Sequence, residues 1–346
     1  MKALPPTINS AVPALCASAP ATPRLSFAAG KRLSDPVGLR VQPRESFLAG
    51  ELVLVEVLAN PKAKPTRLAD LSVASLSAGD RVVCVLGQNA SFKIDLVDVP
   101  TRADVEWVLI NRGGLVGQPI QSSPESIRVR YLGNLMQNNK PVRLENRLPP
   151  LVAGRDRPIL VVVGSETNSG KTTTVRTIVA GLRARGYRVG ACKLTGICGD
   201  DPLEYGADQV VDFSDAGLAS TIENQAQAVD AAGRCVALLQ QHNDVVVVEF
   251  GSGLASSHPI LPILSTLPAQ STRIVVCTLD VVGALGALLL LGSIGRIPSL
   301  FAGVATNSAL ARAVIQEKTG VAAASFTEDL ASMLLLGGIT HAKEQC

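Results

Sequence analysis

The most specific chemistry in the chain lies in one run, Gly164-Ser-Glu-Thr-Asn-Ser-Gly170-Lys171-Thr172-Thr173. It follows a continuous apolar stretch and opens a helical one, the setting in which a glycine-bearing turn binds phosphate. Glycine lets backbone amides face an anion with no side chain in the way, and a helix N-terminus adds aligned dipoles. In that geometry Lys171 reaches the β and γ phosphates and the Thr172 hydroxyl holds magnesium. Five residues separate Gly164 from Gly170, one more than in the common loop, and Ser165 takes the usual glycine position. The expected nucleotide contacts are Gly164, Thr167, Asn168, Ser169, Gly170, Lys171, Thr172 and Thr173.

Other chemistry-bearing residues fall where strands end. Glu249 closes an apolar run, and a hard carboxylate oxygen there suits a magnesium ion beside phosphates. Asp280 also follows a strand and either binds metal or caps the next helix. Lys193 follows the second strand, where a cation can stabilise charge on a transferred phosphoryl group or stand in solvent. Asp212 is a further metal candidate, and Asp215 a weaker one. His258 precedes Pro259 and either acts as a general base or is structural. Cys192 and Cys198 flank Lys193 and read as buried thiols. Asn111-Arg112-Gly113-Gly114 is a turn in which Arg112 has the chemistry to meet a small carboxylate. His242 and His341 read as surface residues.

The elements needed to position these groups are legible from hydrophobic pattern. Residues 159–163, 187–192, 244–250, 273–279 and 300–306 read as strands, with helices over 172–185, 222–241, 282–294 and 308–318. Strands alternating with helices give an α/β fold, a doubly wound, mainly parallel sheet whose ligand edge collects the loops after the strands. Upstream, residues 51–58, 80–86, 105–110 and 126–132 read as short strands of a small mostly-β domain. The expected divisions are a flexible tail over 1–39, the β domain over 40–148, a linker over 149–157 marked by Pro149, Pro150 and Gly154, and the P-loop domain over 158–346.

At 346 residues, 47% apolar and 18% charged, the chain is globular in composition. The net charge of +3 argues against a dedicated nucleic-acid binder. It divides unevenly: 20 basic and 13 acidic residues up to Arg157, then 12 and 16. Seven scattered cysteines with no C-x-x-C spacing argue against a disulfide framework or zinc site and point to a reducing, cytoplasmic setting. The apolar run over 281–294 is shorter than the roughly 18 to 20 residues of a membrane span, so it reads as a buried helix and no membrane partner is expected. Residues 1–32 hold no acid and are rich in Pro, Ala and Ser. They suit a disordered tail, and organelle targeting is the competing explanation.

The loop pattern Gly-x-x-Thr-x-x-Gly-Lys-Thr resembles that of dethiobiotin synthetase and its relatives among the SIMIBI-class P-loop proteins. Val189-Gly-Ala-Cys-Lys193 is similar to that group's second strand, whose lysine stands beside the substrate. Val248-Glu249-Phe-Gly-Ser-Gly253 is similar to its Val-Glu-Gly-x-Gly segment, whose glutamate binds magnesium. Gly303-Val-Ala-Thr-Asn307 is similar to the strand whose asparagine reads the nucleotide base. The chain resembles more closely a family that joins a small N-terminal β domain to this module, on Thr195-Gly196-Ile197, Asp212-Phe213 and the Glu249 segment running to His258-Pro259. Some members of that family act on D-glutamate, including as N-acetyltransferases. Phe250 departs from the pattern, standing where a glycine follows the glutamate.

These observations lead to an expected ATP- and magnesium-dependent enzyme acting on a small carboxylate or amino-acid metabolite, in ligase or kinase fashion. Lys171, Lys193, Glu249 and His258 are its expected catalytic residues, and Thr172, Glu249 and Asp212 its metal ligands. A homo-oligomer is expected. The alternatives are an amino-acid N-acyltransferase using coenzyme A and a nucleotide-switched partitioning-type ATPase. Ser165, Glu166 and Thr167 occupy the positions where the last group carries a signature lysine.

Overall fold

Apolar runs in the N-terminal half pair with partners far away in sequence. The computed structural model describes residues 23–31, 33, 38–90, 96–151, 154–199 and 201–335. They fall into two units: Met1–Arg147 with Ile197–Asp200 and Phe213–Glu223, and Leu148–Gly196 with Asp201–Asp212 and Asn224–Cys346.

The first unit contains β1 (Arg24–Leu25), α1 (Phe27–Gly30), β2 (Arg40–Gln42), β3 (Leu52–Ala59), β4 (Pro65–Arg67), β5 (Val73–Ser75), β6 (Arg81–Leu86), β7 (Leu96–Asp98), β8 (Trp107–Leu109), β9 (Leu115–Gln121), β10 (Ile127–Gln137) and β11 (Lys140–Pro141). The main sheet runs β1-β6-β3-β10-β8-β9-β7, and β6 also pairs with β9. Strands β6, β3, β10, β8 and β9 therefore close on themselves as a small barrel, which leaves no bare edge within the ring. Along β10, Ile127, Val129 and Tyr131 are buried while Arg128 and Arg130 are exposed, the two-residue period of a strand with one wet face. Phe47 meets Trp107 and Tyr131 edge-on, at centroid distances of 5.3 and 5.2 Å, at the centre of the core.

The expected tail folds earlier than its composition suggests. Arg24 and Leu25 pair with Val82 and Val83, and α1 buries Phe27, Ala28 and Ala29 behind a Ser26 cap. Pairing with a distant strand supplies the burial that the local sequence lacks. Residues 1–22 lie outside the described residues, as do His341, Cys16 and Cys346.

The second unit contains β12 (Ile159–Gly164), α2 (Lys171–Ala184), β13 (Val189–Thr195), β14 (Gln209–Asp212), α3 (Gln225–His242), β15 (Val245–Gly253), α4 (Ile260–Thr266), β16 (Thr272–Cys277), α5 (Val281–Gly292), β17 (Leu300–Ala302), α6 (Ala309–Thr319) and α7 (Leu330–Leu335). The strand order is β14-β13-β15-β12-β16-β17, and every pairing is parallel. β12 is buried along its whole length, as a strand covered on both faces must be. The fold is α/β with a separate mostly-β unit.

Several elements differ from expectation. β14 and α4 carry no periodic signal in the sequence. α3 starts at Gln225 because the Asn224 side chain accepts from Gln227 N at 3.0 Å and sets the cap. β17 stops at Ala302 because Gly303 turns to φ +99° and residues Ala305–Asn307 wind into a 3-10 turn. α5 is not a buried helix: Val282, Leu285 and Leu289 are exposed. No helix among the described residues is long and apolar enough to cross a membrane.

Candidate active site

β12 stands between β15 and β16. From β12 the chain passes through α2 to β13 on the β15 side, and later crosses from β15 to β16 on the other. The loop after β12 thus opens at the point where the direction of winding reverses, the usual crevice of such sheets.

Residues 164–171 form a tight turn there. Ser165 N donates to Cys277 O at 2.8 Å and Leu254 N donates to Gly164 O at 2.9 Å, tying the turn to both flanking strands. Asn168 and Gly170 take positive φ, 63° and 100°. A Cβ on Gly164 would lie 2.4 Å from Ser169 Oγ and 2.9 Å from Lys171 Cδ, so a side chain there would fill the cradle. A Cβ on Gly170 would lie 2.7 Å from the Phe326 ring. Gly253 supports the turn from β15, where a Cβ would meet Glu166 Cα at 2.9 Å. The close approaches explain the glycines: Gly164 and Gly170 lie against side chains, and Gly253 lies against the loop backbone.

Gly170 caps α2 without a side chain, so no side chain competes for the first amides of the helix. Ser169 Oγ is buried and accepts or donates no hydrogen bond. Both features suit an anion. Lys171 is buried, and its Nζ donates to Glu166 O at 3.0 Å across the turn. Burial holds its ammonium below the usual lysine range, opposed by the nearby Glu249 carboxylate. Thr172 Oγ1 donates to Glu249 Oε1 at 3.0 Å. The hydroxyl and carboxylate expected to share magnesium are therefore adjacent, and their hard oxygens fit that ion.

Lys193 and His258 are buried beside this pair of strands. Lys193 stands opposite Glu249 in the register of β13 and β15. A Cβ on Gly251 would lie 2.5 Å from Lys193 Cε, so the lysine stem crosses that glycine. Burial, and then the charge of Lys193, push His258 down to about 4. The imidazole is neutral at physiological pH.

Asp212 is buried on β14 and stands opposite Lys193 on the far side of β13. A whole strand separates it from Glu249, about 10 Å at ordinary strand spacing. The structure thus does not bring Asp212 to the Thr172–Glu249 pair. Among the described residues no group of three or more His, Cys, Asp or Glu is arranged to hold a metal. A cation at Thr172 and Glu249 would complete its shell with phosphate and water, as magnesium commonly does. Asn307 is exposed at the end of the 3-10 turn that Gly303 begins. A Cβ on Gly303 would lie 2.5 Å from Ser169 O, so this turn starts against the loop.

Other candidates take bland roles. Asp280 Oδ1 accepts from Gly283 N at 2.6 Å and caps α5. Asp215 belongs to the first unit, where it pairs with Lys31 at 3.8 Å. Arg112 also belongs to the first unit; Gly113 of its turn lies against Gly199, and Asn111 Oδ1 accepts from Gly114 N and Leu115 N. Cys192 is fully buried and burial raises its thiol far above the usual range, which leaves it inert. Phe250 is fully buried, so its ring packs inside the fold. Sequence reasoning missed Phe326 and Gly251 as shaping groups. The glycine pattern after Glu249 was the available signal.

Fold and site together define an α/β module with a phosphate-type loop at its switch point. No family model matches the chain, and none of the curated proteins matches it. Solved structures do resemble it. A DUF1611 family protein from Anabaena variabilis matches at 16% identity and TM-score 0.38, over 54% of this chain and 60% of that one. The signal recognition particle 54 kDa protein of Aeropyrum pernix, in complex with GDP, matches at 17% identity and TM-score 0.37, over 55% of this chain and 47% of that one. A ParA family ATPase from Chlorobium tepidum matches at 14% identity and TM-score 0.35, over 49% and 84%. The matched region is thus less than two thirds of the length of the first two.

Proposed function

We propose that the second unit is the catalytic module of an ATP- and magnesium-dependent enzyme that activates a small carboxylate or amino-acid metabolite by phosphoryl transfer. The observation that carries this is the 3.0 Å hydrogen bond from Thr172 Oγ1 to Glu249 Oε1, made directly beside the buried Lys171. It gathers the protein's share of a magnesium site at the mouth of an uncapped helix.

When bound, ATP supplies the transferable phosphoryl group and magnesium offsets its charge. The chain's own groups do the rest. The amides of the 164–171 turn and of the start of α2 receive phosphate oxygens. Lys171 exchanges the Glu166 carbonyl for an anionic partner, which favours its charged form. Lys193 holds the acceptor's carboxylate. The carboxylate oxygen attacks the γ phosphorus as ADP leaves and has no proton to give up, so the neutral, buried His258 serves by hydrogen-bonding and orienting the acceptor. Asn307 meets the nucleotide base.

N-acyl transfer from coenzyme A to an amino acid is a second reading. The neutral His258 favours it, because an ammonium acceptor must lose a proton before it can attack an acyl carbonyl. One assay separates the two. The full chain is incubated with MgATP and a panel of small acids including D-glutamate, and ADP is measured; a parallel series uses acetyl-CoA without ATP, and free thiol is measured. Acid-dependent ADP release that disappears in Lys171→Ala supports phosphoryl transfer. Thiol release without ATP overturns it in favour of acyl transfer.

A further inference from the structure

The Thr172–Glu249 pair sets which way a polyphosphate lies in the loop. The two residues meet on the β15 side of β12, and Lys193 stands opposite Glu249 one strand further out. The transferable end therefore points toward β15 and β13. The other end, which carries sugar and base, leaves on the side of β16 and β17.

Two turns close on the loop from that side. Val304 N donates to Ser169 O at 3.1 Å. A Cβ on Gly170 would lie 3.3 Å from Gly303 Cα and 2.7 Å from Phe326 Cζ. Phe326 reaches this edge because the chain before it runs parallel to β17. Phe301 N donates to Ala322 O at 2.8 Å, and Ala324 N to Phe301 O at 2.9 Å. Arg312, on α6, fastens the two turns to each other. Its Nη1 donates to Thr306 O at 2.6 Å. Its Nε stands 3.8 Å from Glu328 Oε1, which accepts from Ser325 N at 2.9 Å. The ring is thus held in place before any ligand arrives, and a pre-ordered contact costs less on binding.

The exposure pattern marks the same spot. Phe27, Phe47, Phe213, Phe250 and Phe301 are buried, whereas Phe326 is half-buried. Val304, which opens the other turn, is 46% exposed. Two apolar side chains therefore stand open to water at the end of the loop from which a base departs. Every base presents a flat π-face, and an aromatic side chain binds it by stacking.

We propose, on the reading of the second unit as a nucleotide-dependent enzyme, that the Phe326 ring is the platform on which the nucleotide's base stacks. Its rim position and its contact with Gly170 tie base recognition to the same turn that receives the phosphates.

Isothermal titration calorimetry of the full chain tests this with two probes. One is the magnesium complex of the non-hydrolysable β,γ-imido analogue of ATP, and the other is magnesium tripolyphosphate, which has no base. Phe326→Leu keeps an apolar side chain against Gly170 and removes the flat ring. It is expected to weaken the ATP analogue about tenfold and to leave tripolyphosphate unchanged. Phe326→Trp restores a ring and is expected to bind the analogue at least as tightly as the wild-type chain. Thermal melts report whether each variant folds. Equal weakening of both probes in Phe326→Leu, no weakening of the analogue, or a weakened analogue in a folded Phe326→Trp would each overturn the proposal. So would wild-type binding of tripolyphosphate as tight as that of the analogue, which would leave the phosphate site standing. Coenzyme A without metal is the third probe: if Phe326→Leu weakens it and spares the ATP analogue, the ring serves the adenine of coenzyme A instead. No binding of any probe to the wild-type chain would remove the nucleotide reading together with the proposal.

Discussion

Among the described residues each unit holds one almost wholly buried glutamate, and the two have different surroundings. Glu51, in the barrel, is 1% exposed. Its carboxylate accepts from Arg44 Nη1 and Leu48 N, both at 3.3 Å, and from Asn134 Nδ2 at 2.8 Å. Asn134 in turn accepts from Tyr131 OH, which accepts from Arg44 N. Every partner belongs to the same small barrel, so the charge serves as a fastening. Glu249 is 2% exposed in the middle of β15, and it accepts from the Thr172 hydroxyl on the first turn of the helix beyond a phosphate-type loop. Lys171, Lys193 and the neutral His258 stand close by. Burial of a charge does not distinguish a catalytic group from a structural one; what surrounds it does.

Substitutions should separate the two glutamates. Lys171→Ala is expected to lower kcat/KM by about a thousandfold or more, because it removes the cation facing the phosphates. Its melting temperature should hold, since burial disfavours that ammonium. Glu249→Gln is expected to lower activity about a hundredfold and to raise the magnesium concentration needed for half-maximal rate, again with the melt nearly unchanged. Glu51→Ala should do the reverse. It leaves Arg44 and Asn134 without their acceptor and is expected to cost about 3 kcal/mol in urea unfolding, while the folded fraction keeps full activity.

The smallest effects are in pH dependence, and the two units should differ in sign. His258 is pushed down to about 4 by burial, and then by Lys193. Its folded form binds protons less readily than the unfolded chain, so its contribution is complete above about 6.5 and falls away toward about 4. Glu223, in the first unit, is raised to about 8 by burial, against lowering by hydrogen bonds from Gln88 and Ser220. Its contribution is complete below about 4.5 and is lost as pH rises toward about 8. His258→Gln should flatten the acid side of a plot of melting temperature against pH, and Glu223→Gln the alkaline side. If each variant altered the opposite side, the assignments would be wrong.

The phosphate-type loop was legible because its signals are local and agree: a continuous apolar strand, paired glycines, Lys171 and Thr172, then a helical period. Glu249 and Lys193 were legible as charged residues at the close of apolar runs, although β15 and β13 both run on past them to Gly253 and Thr195. The barrel was visible as strands but not as a ring, because the β6–β9 pairing joins residues 85–86 to 115–116 and leaves no periodic trace. The grouping of Ile197–Asp200 and Phe213–Glu223 with the first unit was invisible for the same reason. Asp212 was misplaced as a metal ligand because strand order, not residue type, sets its distance from Glu249. α5 was read as buried from its composition; composition gives apolarity but not which side faces water.

Isothermal titration calorimetry with magnesium nucleotide, run on the wild-type chain and on Lys171→Ala, tests the central claim most directly. Saturable heat in the wild-type chain that is lost or strongly weakened in Lys171→Ala is the predicted result. No heat from ATP, GTP or coenzyme A in the folded wild-type protein, or equal heats in both proteins, would contradict it.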